Sequence, residues 1–203
     1  MDSITRRWVL FICALIALAG AAVAALATTQ QRNEQIRGYV DATRTLDLPY
    51  RIQRLGINAD LTQYSPVELE TQLELMAEVG VYWVRQLVSW DLIEPAPGEF
   101  VWERWDEVVD AVDQHAALEL VAVLVNTPEW ARIRSDATLT APPADVADFA
   151  AFVAAFATRY GDSINYYQMW DEPNIRLGWG ELQPSAAHYA ALLQAGYVAA
   201  HSH

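Results

Sequence analysis

The 203-residue sequence contains a single cysteine, Cys13, so it can form no intramolecular disulfide. Basic residues are scarce: 13 lysines and arginines stand against 26 aspartates and glutamates, a formal net charge of −13. No basic stripe is available to neutralise phosphates, which excludes a nucleic-acid partner. The same deficit disfavours close adhesion to an anionic lipid surface. No glycine-rich turn follows any strand-like run, so nucleotide binding has no support. The four histidines, His115, His188, His201 and His203, lack metal-ligand spacing near acidic partners, and no metal or other cofactor is implied. Charged residues are only 19% of the chain and hydrophobic ones 53%, too apolar for a disordered protein.

What is present begins with one long apolar run. Arg6 and Arg7 precede an uninterrupted stretch from Trp8 to about Ala27, closed by polar Thr28 to Gln31. Roughly twenty apolar residues are what a helix needs to cross a bilayer core. A cleaved signal peptide has a shorter apolar region followed by a small-x-small site, which Ala25-Leu26-Ala27 would supply. The length of the run favours an uncleaved signal-anchor over that alternative. The two arginines place the N-terminus in the cytoplasm, so either reading exports the rest of the chain. Cys13 lies inside the run, and Leu10-Phe11-Ile12 before it lack the small residue that precedes a lipidated cysteine. The expected organisation is a transmembrane helix over 1–27, a polar tether over 28–49 and a globular part over 50–203. The expected location is the cytoplasmic membrane, single-pass through residues 8–27, with the globular part outside or, after cleavage, secreted.

From Tyr50 onward, β-like runs alternate with helical patterns. Strands are expected at Ile52–Asn58, Val81–Val88, Leu118–Val125 and Ile164–Trp170. The first helix is expected to open on Ser65-Pro66-Val67-Glu68, where Ser65 caps, Pro66 suits the first turn and Glu68 completes a capping box. Leu69, Leu73, Met76 and Ala77 share its face, and Gly80 stops it. Trp105, Val108, Val109 and Val112 mark a second helix after the loop Glu94-Pro95-Ala96-Pro97-Gly98. Val146, Phe149, Val153, Phe156 and Tyr160 mark a third, and Tyr189, Leu192, Leu193 and Tyr197 a fourth. Four βα units predict an α/β fold with parallel strands and right-handed crossovers. A closed (β/α)8 barrel needs eight units and typically about 250 residues. The expectation is therefore a barrel of this type truncated to its first four units, with a small doubly wound domain as the structural alternative.

In parallel barrels the chemistry sits where strands end and βα loops begin. Those strand ends carry Asn58; Arg85 with Ser89 and Trp90; Asn126 with Thr127, Glu129 and Trp130; and Trp170-Asp171-Glu172-Pro173-Asn174. Cleaving a glycosidic bond takes a carboxylic acid to protonate the leaving oxygen, usually a second carboxylate, and aromatic faces for the sugar rings. Glu172 is the best-placed acid. Pro173 is expected to hold its backbone extended, and Trp170 to shield it from water as a general acid requires. Trp90 and Trp130 are candidate sugar platforms or, equally, packing beneath the rim. Trp102 and Trp105 read as packing, while Trp179 borders the cleft. Arg85 in an apolar strand calls for a carboxylate partner or full hydrogen bonding.

Tyr166-Tyr167-Gln168-Met169-Trp170-Asp171-Glu172-Pro173-Asn174 resembles the fourth-strand signature of clan A glycoside hydrolases, commonly Trp-Asn-Glu-Pro-Asn. Val84-Arg85 with Ser89-Trp90, the loop from Ile93 to Trp102, and Thr127-Pro128-Glu129-Trp130-Ala131 are similar to the preceding motifs, the last to the β-xylosidase-like family 39. The resemblance spans residues 52–200 and implies a retaining mechanism on a carbohydrate substrate, without cofactor or protein partner. It makes Glu172 the acid/base, with Asp171, Arg85, Asn126, Trp130, Trp90, Trp170 and Asn174 around the substrate. It also places the nucleophile at the end of a seventh strand. No seventh strand is present here, and Glu94, Glu99, Glu129 and Glu181 lie on the wrong loops, so the chain alone is expected to be inactive. Asp171 departs from the usual asparagine: it accepts from a hydroxyl but cannot donate as an amide does. The alternative function is a membrane-anchored pseudoenzyme that binds carbohydrate without cleaving it.

Overall fold

A computed structural model describes residues 3–37, 54–134 and 136–202. The chain divides into two units, Met1–Arg51 and Ile52–His203. In the first unit, helix α1 spans Ser3–Arg37. Its segment Arg7–Gln30, 24 residues, is long and apolar enough to cross a membrane by length and composition. Helix α1 continues past the apolar run to Arg37, so the first part of the expected tether is helical; the rest of the tether, and Ile52 and Gln53 of the first expected strand, lie outside the described residues.

The second unit is a four-stranded parallel sheet in the order β1-β2-β3-β4: β1 Leu55–Asn58, β2 Val81–Ser89, β3 Glu119–Val125 and β4 Tyr166–Met169. The long helices are α2 Pro66–Glu78, α4 Glu103–Asp113, α5 Val146–Tyr160 and α6 Ala186–Ala200, and a single turn, α3 Trp90–Ile93, follows β2 directly. Every crossover joins neighbouring strands. Val84↔Leu120 and Val121↔Tyr166 fix the register. The expected capping box is present, for the Glu68 carboxylate accepts from both the Ser65 N–H (3.0 Å) and its hydroxyl (2.7 Å). The Ser65 bonds hold Glu68 below the usual carboxylate range.

Strand periodicity sorts the sheet faces. Val84, Val88, Leu120, Ala122, Leu124 and Met169 join one cluster with Leu73, Val108, Phe152, Phe156 and Leu192 from the four long helices. The alternate residues Trp83, Arg85, Leu87 and Gln168 point the other way, and Leu87 is exposed. Helices on one face describe a barrel wall rather than a doubly wound sheet, which carries helices on both. Among the described residues no strand pairs with the outer edge of β1 or β4.

One polar clip joins α4 to α5. Arg159 forks onto Asp106 through Nε (2.7 Å) and Nη2 (2.6 Å), and the Tyr160 hydroxyl donates to the same carboxylate at 2.8 Å. The Arg159 bonds hold Asp106 below the usual carboxylate range, while burial, reinforced by Asp106, pushes the Tyr160 phenol up and keeps it a donor. A depressed carboxylate stabilises the fold above its unfolded pKa and loses that contribution as pH falls through the folded value, here from about pH 4 downward. Water screens a pair this open, so the effect is modest. Asp106→Asn is expected to lower Tm by about 2–4 °C at pH 7 and to flatten the acid limb of a Tm-against-pH curve below pH 4. An unchanged acid limb would show that the clip contributes nothing.

Candidate active site

The carboxyl ends of β2, β3 and β4 converge on one rim, and the pairing of β2 to both neighbours sets its geometry. Arg85, midway along β2, finds the partners its burial demands. Its Nη2 donates to Asp171 Oδ1 at 2.6 Å, Nε to Gln168 Oε1 at 3.1 Å and Nη1 to Asn58 Oδ1 at 3.3 Å. Gln168 completes the network by donating to the Trp170 carbonyl at 2.8 Å. Arg85 and Asp171 keep 29% and 36% side-chain exposure, so this is a rim pair open to ligand on one side.

The turn after β4 departs from the extended backbone expected before Pro173. Trp170 and Glu172 both adopt left-handed conformations, φ 72° and 45°, and Asn126 at the end of β3 does the same with φ 65°. Side chains at such positions cost roughly 1–3 kcal/mol each and persist where the surroundings over-determine them. The surroundings here are close. The Trp170 indole N–H donates to the Gly178 carbonyl at 2.8 Å, and a Cβ on Gly178 would stand 2.3 Å from the Glu172 carbonyl oxygen. Only glycine lets the Leu177–Trp179 turn approach so closely. The Thr140 hydroxyl donates to the Leu177 carbonyl at 2.6 Å, tying the loop after β3 to the loop after β4.

The tryptophans occupy other places than a sugar platform requires. Trp90 is fully buried, stacked on Phe152 with centroids 5.3 Å apart, and its N–H donates to Glu94 Oε2 at 2.7 Å. It offers no face to a ligand, which corrects one of its two readings. Trp170 is also buried, edge-on to Phe149 and Trp179, while Glu172 is exposed; the shielding expected from Trp170 is absent because its ring turns into the helix layer. Trp130 is half-buried, edge-on to Trp90, with its N–H on the Glu94 carbonyl at 3.0 Å. Trp179 is buried rather than bordering the cleft. Asn174 is exposed beyond Pro173.

A cavity of about 240 Å³ lies between the two tied loops. Leu87, Val125 and Trp170 form its apolar part, and Asn126, Asp171 and Glu172 its polar part. Sequence reasoning passed over Asp91, although it sits one turn from the rim. Ser89 donates to Asp91 Oδ1 at 2.6 Å, and Asn126 donates to Ser89 Oγ at 2.8 Å. Two acidic groups, Asp171 and Glu172, stand side by side at the tip of β4, one paired to Arg85 and one free to meet a ligand. Such a set suits proton transfer to an oxygen leaving group.

Residues 61–144 match the beta-galactosidase family, glycoside hydrolase family 42. The chain resembles clan A glycoside hydrolases, as its motifs predict. Among solved structures, a monomeric beta-xylosidase from Caulobacter crescentus superposes with a TM-score of 0.58 at 18% identity, over 74% of this chain and 34% of that one. A family 39 glycoside hydrolase from the gut symbiont Bacteroides cellulosilyticus gives 0.52 at 18% identity, over 72% and 28%. A beta-galactosidase from the psychrophilic Marinomonas ef1 gives 0.51 at 22% identity, over 68% and 24%. These likenesses show a shared α/β barrel-type fold, and the chain spans about a third or less of each of these three proteins. A comparison with curated proteins found no match.

Proposed function

We propose that this chain supplies the acid/base side of a retaining β-glycoside hydrolase, exported and held at the cytoplasmic membrane by α1. The observation that carries the reading is the position of Glu172, at the carboxyl end of β4, on the cavity it shares with Asp171 and beside the Arg85 pair. Glu172 protonates the departing glycosidic oxygen and then takes a proton from the incoming water. A second glutamate, about 5–5.5 Å away, attacks the anomeric carbon as that oxygen departs, and the incoming water then displaces it from the covalent glycosyl intermediate. That group belongs to a seventh strand, which is not among the described residues. Transmembrane residues 1–27, a tether to 49 and a globular part from 50 complete the organisation.

The beta-xylosidase and beta-galactosidase names of the similar structures support a β-glycoside as the substrate class. A polypeptide carrying these residues within a complete eight-stranded barrel is expected to release the β anomer first from an aryl β-glycoside, read by proton NMR before mutarotation. Initial release of the α anomer would overturn the retaining mechanism. A second reading, carbohydrate binding without turnover, is favoured by one feature: Asp171 is already committed to Arg85 at 2.6 Å. Saturable glycoside binding with no product would select it.

A further inference from the structure

The hydrogen-bond chain at the tip of β2 determines which way an amide faces. A serine hydroxyl has one proton, and an ionised carboxylate has none to give. Ser89 spends its proton on Asp91 Oδ1 at 2.6 Å, so its 2.8 Å contact with Asn126 is one in which the Ser89 oxygen accepts. The Asn126 NH2 group therefore turns towards Ser89, and its carbonyl Oδ1 turns away from it. A main-chain bond keeps the two strand tips together: the Asp91 N–H donates to the Asn126 backbone carbonyl at 3.0 Å, and Asn126 sits in a left-handed conformation. Asn126 lines the 240 Å³ cavity together with Asp171 and Glu172.

The remaining wall has the same polarity. Asp171 gives one oxygen to Arg85, and that guanidinium is further occupied by Gln168 and Asn58. Among the described residues no lysine or arginine lines the cavity. Its polar side chains are Asn126, Thr140, Asp171 and Glu172, and the Thr140 hydroxyl spends its proton on the Leu177 carbonyl at 2.6 Å, so acceptor oxygens predominate against the apolar surface of Leu87 and Val125. We propose that Asp91, acting through Ser89 as a positioning pair, fixes the Asn126 amide so that the cavity takes a neutral sugar through its hydroxyl donors and refuses a carboxylated one. This rests on the carbohydrate reading above and names the class of sugar. The physical reason is that a hydroxyl satisfies each wall oxygen, while a sugar carboxylate meets the Glu172 charge and acceptors, with the Arg85 guanidinium already committed to Asp171 at 2.6 Å.

The test uses the full 203-residue chain in detergent micelles, titrated at neutral pH and followed by NMR. The probes are methyl β-glucopyranoside and methyl β-glucopyranosiduronate, which differ only at the sixth carbon. The neutral glycoside is expected to bind at least about tenfold more tightly. Ser89→Ala frees the Asn126 amide to rotate without altering any charge, and should shrink that preference several-fold. In Asp91→Asn the side chain can donate to Ser89 as well as accept from it, so the Asn126 amide is no longer held in one orientation and the preference should also shrink. Equal binding of the two glycosides by the unmodified chain would overturn the inference and leave the carbohydrate reading standing, as would a preference undiminished in Ser89→Ala. Binding of neither glycoside would overturn both, and binding of the glucuronide alone would overturn the inference. A ligand-free readout tests the relay by itself: one Asn126 side-chain amide proton should be protected from exchange, and Ser89→Ala should abolish that protection. Absence of protection in the unmodified chain would also sink the relay.

Discussion

Glu172→Gln, in a polypeptide that carries these residues within a complete barrel, is expected to slow cleavage of unactivated β-glycosides by roughly 10²–10⁴-fold, the usual contribution of a positioned general acid. Glutamine keeps the shape and the left-handed turn but has no proton to give to the departing oxygen. The loss should therefore depend on the leaving group. A dinitrophenyl β-glycoside, whose phenolate departs without help, should be cleaved at close to the unmodified rate in its first step. Asp171 stands beside Glu172 but cannot replace it, because Arg85 holds Asp171 Oδ1 at 2.6 Å. Rates of the glutamine variant on alkyl glycosides equal to those of the parent would remove Glu172 from the mechanism.

Trp90→Ala is expected to be the most destabilising single change in the globular unit. The ring is fully buried, stacked on Phe152 and edge-on to Trp130 and Phe149, so its removal opens a cavity in the helix layer. Truncations of this kind cost about 3–5 kcal/mol. The buried Glu94 carboxylate also loses the indole donor, although it retains the Gly98 N–H at 2.8 Å. Against a typical total of about 5–15 kcal/mol, this loss is a large share of the stability of the unit. Trp90→Phe is the milder variant: it keeps part of the stacking but loses the donor and the rest of the indole, and should cost less than the alanine change. Urea unfolding followed by far-ultraviolet circular dichroism measures both. A change below about 1 kcal/mol in the alanine variant would contradict the core position of the ring.

The elements were legible because their signals are local. Ser65, Pro66 and Glu68 specify a helix start with three residues, and the strand expected at Val81–Val88 is observed at Val81–Ser89. Arg85 was legible for a different reason: a guanidinium in an apolar strand must find a partner, and it found Asp171, Gln168 and Asn58. The direction of the indole rings was not legible. Trp90 begins the α3 turn and Trp170 a left-handed bend, so each ring is carried from the strand tip into the helix layer. Handedness at Glu172 escaped too, because the rule for a residue before proline reads the local sterics. Here the close approach of Gly178 and the anchored Trp170 indole decide the turn instead. The Asn126–Ser89–Asp91 relay joins strand tips 37 residues apart in sequence and has no periodicity to betray it.

The left-handed bend at residue 172 sets heat resistance against the proton transfer proposed for Glu172. Glycine would sit there without steric penalty, whereas glutamate is held in place only by its neighbours. Lineages or libraries sorted purely for surviving high temperature should drift towards glycine at this position, discarding the carboxyl group while the barrel wall stays intact. Persistence of an acidic side chain under such sorting would mean that the bend itself is indifferent to which residue occupies it.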